Sequence, residues 1–172
     1  MRIILAALAC ACVPLTAAQG QVSQNVYGEV GYTRVSFDDV GYNTAGGRLG
    51  LNINDLFGVE GEAFFGVGEE TTTVMGVDVD SSLNYTAGLY GTVRTGLGDA
   101  TEIIGRLGYA TAEVEASVMG AGVSGSDDAI AGGVGVRHYI GGGAFGVRGD
   151  ITYADYDGGE STSYAITLVR RF

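Results

Sequence analysis

The sequence predicts an all-β protein, an eight-stranded antiparallel transmembrane up-and-down β-barrel. Three observations predict it. The closing segment alternates Tyr164, Ile166 and Leu168 with Ser163, Ala165, Thr167 and Val169, and it finishes on the aromatic Phe172. Such a strand puts one face in lipid and the other in a polar lumen. Seven earlier segments repeat the same period of two. Their connections alternate between short turns and longer acidic stretches, the pattern of a barrel crossing a membrane with turns on one side and loops on the other.

The first strand is expected at Val26–Ser36, with Val26, Val30 and Tyr32 opposite Glu29, Gly31 and Thr33. The second is Thr44–Asn54, with Leu49, Leu51 and Ile53 opposite Arg48, Gly50 and Asn52. The third is Leu56–Gly66, with Phe57, Val59, Ala63 and Phe65 opposite Glu60 and Glu62. The fourth is Ser82–Arg94, with Leu83, Tyr85, Ala87, Leu89 and Val93 opposite Asn84, Thr86, Thr92 and Arg94. The fifth starts at Glu102 and ends near Ala116, with Ile103, Leu107 and Tyr109 opposite Arg106 and Ala110. The sixth is Ala129–Ile140, with Ile130, Val134 and Val136 opposite Gly133, Gly135 and Arg137. The seventh is Ala144–Ala154, with Phe145, Val147, Ile151 and Tyr153 opposite Arg148, Asp150 and Thr152. The eighth is the closing strand.

Short connections fall around Asp55, at Gly96–Ala100 and at Gly141–Gly143. Longer acidic ones are expected at Phe37–Tyr42, Gly68–Asp80, Ser117–Asp128 and Asp155–Ser161. An even strand number puts both ends of the barrel on the short-turn, periplasmic side. A soluble β-sandwich would have to bury Glu60, Glu62, Arg106, Arg137, Arg148 and Asp150 in a dry core, which is costly. A closed barrel leaves no unpaired edge in lipid.

Residues 1–18 read as a signal peptide. Arg2 is the positive start, Ile3–Leu15 the apolar stretch and Thr16-Ala17-Ala18 the small residues for cleavage. The barrel domain is then 19–172, which is 172 − 18 = 154 residues. Cys10, Cys12 and Pro14 all lie in the signal, so the mature chain has no disulfide, no thiolate metal site and no proline to interrupt a ladder. The 31 glycines sit inside the alternating segments and turns. The formal net charge of −11 becomes −12 without Arg2, which argues against phosphate contacts and so against nucleic acid.

The segments Val26–Phe37 (VYGEVGYTRVSF) and Val134–Tyr156 (VGVRHYIGGGAFGVRGDITYADY), with the ending on Phe172, resemble the small eight-stranded outer-membrane barrels. These are the opacity-protein family and the transmembrane domain of outer-membrane protein A. The likeness spans the whole mature chain. It implies residence in the bacterial outer membrane, contact with lipid and lipopolysaccharide, and insertion by the barrel-assembly machinery. The assembly signal is then Tyr164, Ile166, Leu168 and Phe172. Arg170 departs from the family pattern, which carries an apolar or aromatic residue two places before the terminal Phe.

Strand parity turns Glu29, Arg48, Glu60, Glu62, Arg106, Arg137, Arg148 and Asp150 inward. All fall three to six residues above the periplasmic turns, in a band on the order of 8–15 Å above the lower rim. Four carboxylates and four guanidiniums can pair in bidentate fashion, so the band either plugs or gates the lumen or merely fills a polar interior and fixes strand register.

On the outer side, Asp38, Asp39, Glu69, Glu70, Asp78, Asp80, Glu113, Glu115, Asp127, Asp128, Asp155, Asp157 and Glu160 face only Arg34. This field repels anions and draws cations, so divalent cations are candidate partners, although no stretch has calcium-loop spacing. His138, the single histidine, falls on the lipid-facing parity and is expected in an interfacial belt with Tyr139 and Phe145. The small barrel deacylases carry a Ser two residues after their His, and here that position is Ile140. No catalytic residue, cofactor or metal site is expected. The reading is a monomeric surface-exposed or structural barrel with at most a narrow gated pore. A small ion or solute channel, or an adhesin acting through acidic loops, is the alternative.

Overall fold

A computed structural model describes residues 25–37, 40–68, 70–74, 77–118 and 121–172. The signal-peptide expectation for 1–18, and the acidic positions Asp38, Asp39 and Glu69, lie outside the described residues. Nine strands follow in order: β1 Val26–Phe37, β2 Val40–Asn52, β3 Phe57–Gly66, β4 Glu70–Val74, β5 Val77–Gly96, β6 Thr101–Val118, β7 Ala121–Tyr139, β8 Phe145–Tyr156 and β9 Gly159–Arg171. Each pairs antiparallel with its neighbour, and β9 returns to β1 from Tyr27↔Arg171 to Phe37↔Ser161. β3 skips β4 and pairs with β5 from Phe57↔Val93 to Phe65↔Tyr85, which closes the ring. β4 pairs with the outer part of the same strand, from Glu70↔Ser81 to Val74↔Val77. β3 and β4 therefore share one interrupted position, and the closed barrel has eight. Among the described residues no helix is long and apolar enough to cross a membrane.

The outer connections differ from the expected loops. Pairs Phe37↔Val40, Val74↔Val77, Val118↔Ala121 and Tyr156↔Gly159 show the ladders continuing through most of the expected loops. β5, β6 and β7 run for 20, 18 and 19 residues, whereas a membrane crossing needs about 9–11. The surplus forms ribbons beyond the bilayer. Segments such as Val77-Asp78-Val79-Asp80 keep a period of two with β-branched residues, and that pattern outweighs their acidity.

The short turns follow local chemistry. Asn54 Oδ1 accepts hydrogen bonds from the amides of Leu56 (2.9 Å) and Phe57 (2.7 Å), an Asx turn. Gly141 and Gly142, at φ 59° and 66°, take the left-handed conformation that lets β7 reverse into β8.

One face of every strand meets lipid. Leu49, Leu107, Ile130 and Ile166 are all about two-thirds exposed, and Val30, Val59, Val93 and Val147 around the wall are exposed as well. The fourth expected strand breaks this order. The register of β5 against β6 slips between Leu83 and Tyr85, so Asn84 has no partner and parity reverses there. Leu83, expected on the lipid face, is inside at 2% exposure. Tyr139 is also inside, at 4%, and does not join His138 and Phe145 in an interfacial belt, because adjacent strand residues point to opposite faces.

Candidate functional site

An eight-stranded barrel encloses just enough room for its own side chains. Here the inward residues stack in three tiers. Tyr27, Tyr139 and Val169 form the tier nearest the periplasm. A charged network sits above it. Val35, Tyr42, Leu83, Tyr90, Ala110, Ala112, Ala129, Ala131, Ala154 and Tyr156 form an apolar tier toward the outside, extended by Phe37, Val40 and Val114. Strand β1 passes through all three with Tyr27, Glu29 and Val35.

All eight charged residues singled out above point into the middle tier. Arg48 lies 2.6 Å from Glu29, 2.9 Å from Glu62, 3.3 Å from Asp150 and 3.7 Å from Glu60. Arg148 approaches from the opposite wall, 2.5 Å from Glu60, 2.6 Å from Asp150 and 3.1 Å from Glu29. The two arginines thus share three carboxylates, each carboxylate bridging two like charges that would otherwise repel. Arg106 pairs with Glu62 at 2.6 Å and donates to Thr152 Oγ1 at 2.6 and 3.0 Å. Thr167 donates to Glu29 at 3.0 Å. Arg137 lies 3.8 Å from Glu29.

Two charges outside the expected band complete the network. Glu102 takes Arg137 at 2.7 Å and Arg94 at 3.3 Å. Five carboxylates then face five guanidiniums, so the buried tier is neutral. Glu102 was legible in principle: it shares the inward parity of Arg106 and is in register with Arg137. Three tyrosines were also missed. Tyr27 donates to Glu60, and its ring lies 4.3 Å beneath the Arg137 guanidinium. Tyr90 stacks 4.2 Å from Arg106, and Tyr139 lies 4.2 Å from Arg171. These contacts hold each cation over an aromatic face.

Glycine makes the room. A Cβ at Gly50 would overlap the Tyr27 ring, one at Gly88 the Tyr90 ring and one at Gly135 the Asp150 carboxylate. The bare wall positions let ten charged groups and their aromatic neighbours fit inside so narrow a ring. Between the charged and apolar tiers remains a cavity of about 30 Å³, bordered by Arg48, Glu62, Phe64, Tyr90, Arg106 and Tyr156. It has room for one or two waters.

His138 faces outward and its Nδ1 lies 2.9 Å from Thr101 Oγ1, remote from the charged tier. In the closing strand Tyr164, Ile166 and Leu168 all face lipid, and the Phe172 amide donates to Val26 O at 2.9 Å. Outside the membrane, Asp127 accepts from the Gly158 amide at 2.8 Å and Glu113 from Asn84 at 2.9 Å. Among the described residues no group of three acidic, histidine or cysteine side chains is arranged to hold a metal ion, so the divalent-cation expectation draws no support from them.

An apolar belt outside, a polar network inside and a ring closed by β3–β5 and β9–β1 define a transmembrane β-barrel. A family model described as the outer membrane protein beta-barrel domain matches residues 3–172, and the chain belongs to that family of the bacterial outer membrane. Its fold is similar to that of Ail, the attachment invasion locus protein of Yersinia pestis, at 18% identity and TM-score 0.62, covering 87% of this chain and 100% of that one. It is similar to OprG from Pseudomonas aeruginosa at 12% identity and TM-score 0.61, covering 86% and 96%. The N-terminal barrel domain of Pseudomonas aeruginosa OprF aligns at 13% identity and TM-score 0.58, covering 85% and 98%. A comparison with curated proteins finds no sequence match.

Proposed function

We propose that this protein is a sealed, non-conducting barrel that anchors short acidic β-ribbons at the bacterial surface. The observation that carries this reading is double closure of the lumen. A neutral, fully paired charge network spans the interior, and a second, apolar tier lies above it, with a cavity of only about 30 Å³ between them. An ion would have to break buried pairs and then enter an apolar constriction, and either step is expensive. The position of His138 on the lipid face, beside a threonine, supports a role without catalysis. Family membership supports insertion by the barrel-assembly machinery through the strand bearing Tyr164, Ile166, Leu168 and Phe172.

The surface role follows from the ribbons. Glu115, Asp128, Asp155, Asp157 and Glu160 are exposed at their ends. One structure of Ail holds a heparin analogue, sucrose octasulfate. The acidic ribbon ends here repel such a polyanion, so a surface partner of this chain would carry a cationic face.

Planar-bilayer recording of the refolded mature protein tests the reading. Inserted protein with no discrete current steps is the expected result, and steps in the unmodified protein would overturn it. The second reading, a pore gated by the charged tier, rests on the small cavity beside Arg48. It requires that Arg48→Ala alone opens the lumen.

A further inference from the structure

Arg170 faces outward at the periplasmic rim, between two aromatic rings. Its guanidinium lies 5.4 Å from the centre of the Phe145 ring and 5.1 Å from that of Phe172. No carboxylate pairs with it among the described residues. Its neighbour Arg171 behaves differently: it is half-buried, donates to Gly142 O at 2.6 Å and lies over Tyr139. One arginine thus serves the barrel and the other is presented to the membrane. A cation held against aromatic faces at the depth of the headgroups offers a fixed donor for a phosphate.

Directly above it on the same wall is a second feature. An open groove of about 460 Å³ runs over Gly149, between Val134, Val136, Ile151 and Tyr164, with Ile103 at one end. Gly149 pairs with Ile166, and Phe145 with Arg170, so the groove lies four residues above the cation along β8. At 3.3 Å per residue that is about 13 Å, well within the reach of a lipid tail. The lowered wall is not demanded by packing, because a Cβ at Gly149 would meet only Ala165 O at 3.9 Å.

We propose that Arg170 and the Gly149 groove together form a site for one phospholipid of the inner leaflet, its phosphate on Arg170 and an acyl chain lying over Gly149. The occupant follows from the chemistry and the depth. The cation fits a phosphate, the groove is walled by aliphatic side chains, and the strand ends place both in the periplasmic half of the bilayer. This site does not depend on whether the lumen conducts.

Native mass spectrometry of the folded protein, released from nanodiscs of dioleoyl-phosphatidylglycerol, tests it. The unmodified protein retains one phospholipid. Arg170→Gln and Gly149→Leu each reduce retention about tenfold or more, as loss of a charge-assisted contact or of an acyl channel implies. Arg34→Gln, at the other membrane face, leaves it unchanged. Dioleoylglycerol, which has the chains and no phosphate, is not retained, and glycerol phosphate, which lacks the chains, does not compete. Heat-modified mobility on gels confirms that each variant is folded. Retention indifferent to Arg170→Gln, or to Gly149→Leu, or equal for dioleoylglycerol, overturns the site.

Discussion

Tyr27 reaches Glu60 across Gly50. The three residues are in register on adjacent strands, Tyr27↔Gly50 and Gly50↔Glu60, and the tyrosine hydroxyl donates to the carboxylate over the bare glycine between them. The glycine and the tyrosine therefore act as one unit. Gly50→Ala is expected to push the ring aside and to destabilise the barrel by about 1–3 kcal/mol, the usual cost of overpacking. Tyr27→Phe removes a hydrogen bond to a charged group and costs about 1.5–3 kcal/mol. The double variant should cost less than the sum, because the second change removes a contact already lost. Urea unfolding in lipid vesicles, followed by gel mobility, reads all three. Strict additivity would refute the coupling.

Arg148 has three carboxylates in close contact, with Glu29, Glu60 and Asp150 all within 3.1 Å. Arg148→Ala strands carboxylates in a water-poor interior and is expected to cost about 3–5 kcal/mol. Arg148→Lys should recover little, since one ammonium cannot span three carboxylates as a planar guanidinium does. Arg148→Met combined with Glu60→Gln should recover part of the loss by removing charge from both sides. Unfolding midpoints rank the three, and a lysine variant as stable as the original would show that geometry plays no part.

The two closures make a distinct electrical prediction. Arg48→Ala should leave the bilayer silent, because Tyr90, Leu83 and Tyr156 still fill the tier above. Adding Tyr90→Ala and Tyr156→Ala should yield discrete current steps. Current from Arg48→Ala alone would favour the gated pore over the sealed anchor.

Two leucines six residues apart on β5 test the bulge. Leu83 is buried in the lumen, and Leu89 is 68% exposed to lipid. Leu83→Ala should cost about 2–5 kcal/mol as a core cavity. Leu89→Ala should cost much less, since lipid tails close over the gap left on the outer face. Equal losses in an unfolding titration would mean that Leu83 does not face inward.

Strand identity and facing were legible residue by residue because a period of two is a property of the backbone. Once Arg148 and Thr152 share a face, Asp150 must share it too. The outer ribbons were less legible. Acidic residues in Gly68–Asp80 and Ser117–Asp128 suggest loops by composition, whereas the alternation of Val77 and Val79 with Asp78 and Asp80 supports a strand in the first, and in the second the ladder of β7 with β6 carries the strand. Leu83 was misread because a bulge leaves no local mark: the slip beside Asn84 exists only in its pairing with β6.

The sequence by itself determined the class of fold, the apolar outer belt and the presence of inward charges, since each follows from alternation along single strands. The tertiary structure decided who pairs with whom. Arg148 meets Glu29 across 119 residues and Glu60 across 88, and such partners are set by ring closure and strand stagger, which no local spacing encodes. It also decided that the upper lumen is apolar. Alanines and valines on an inward face look like filler in sequence and become a constriction only when eight strands bring them onto one axis.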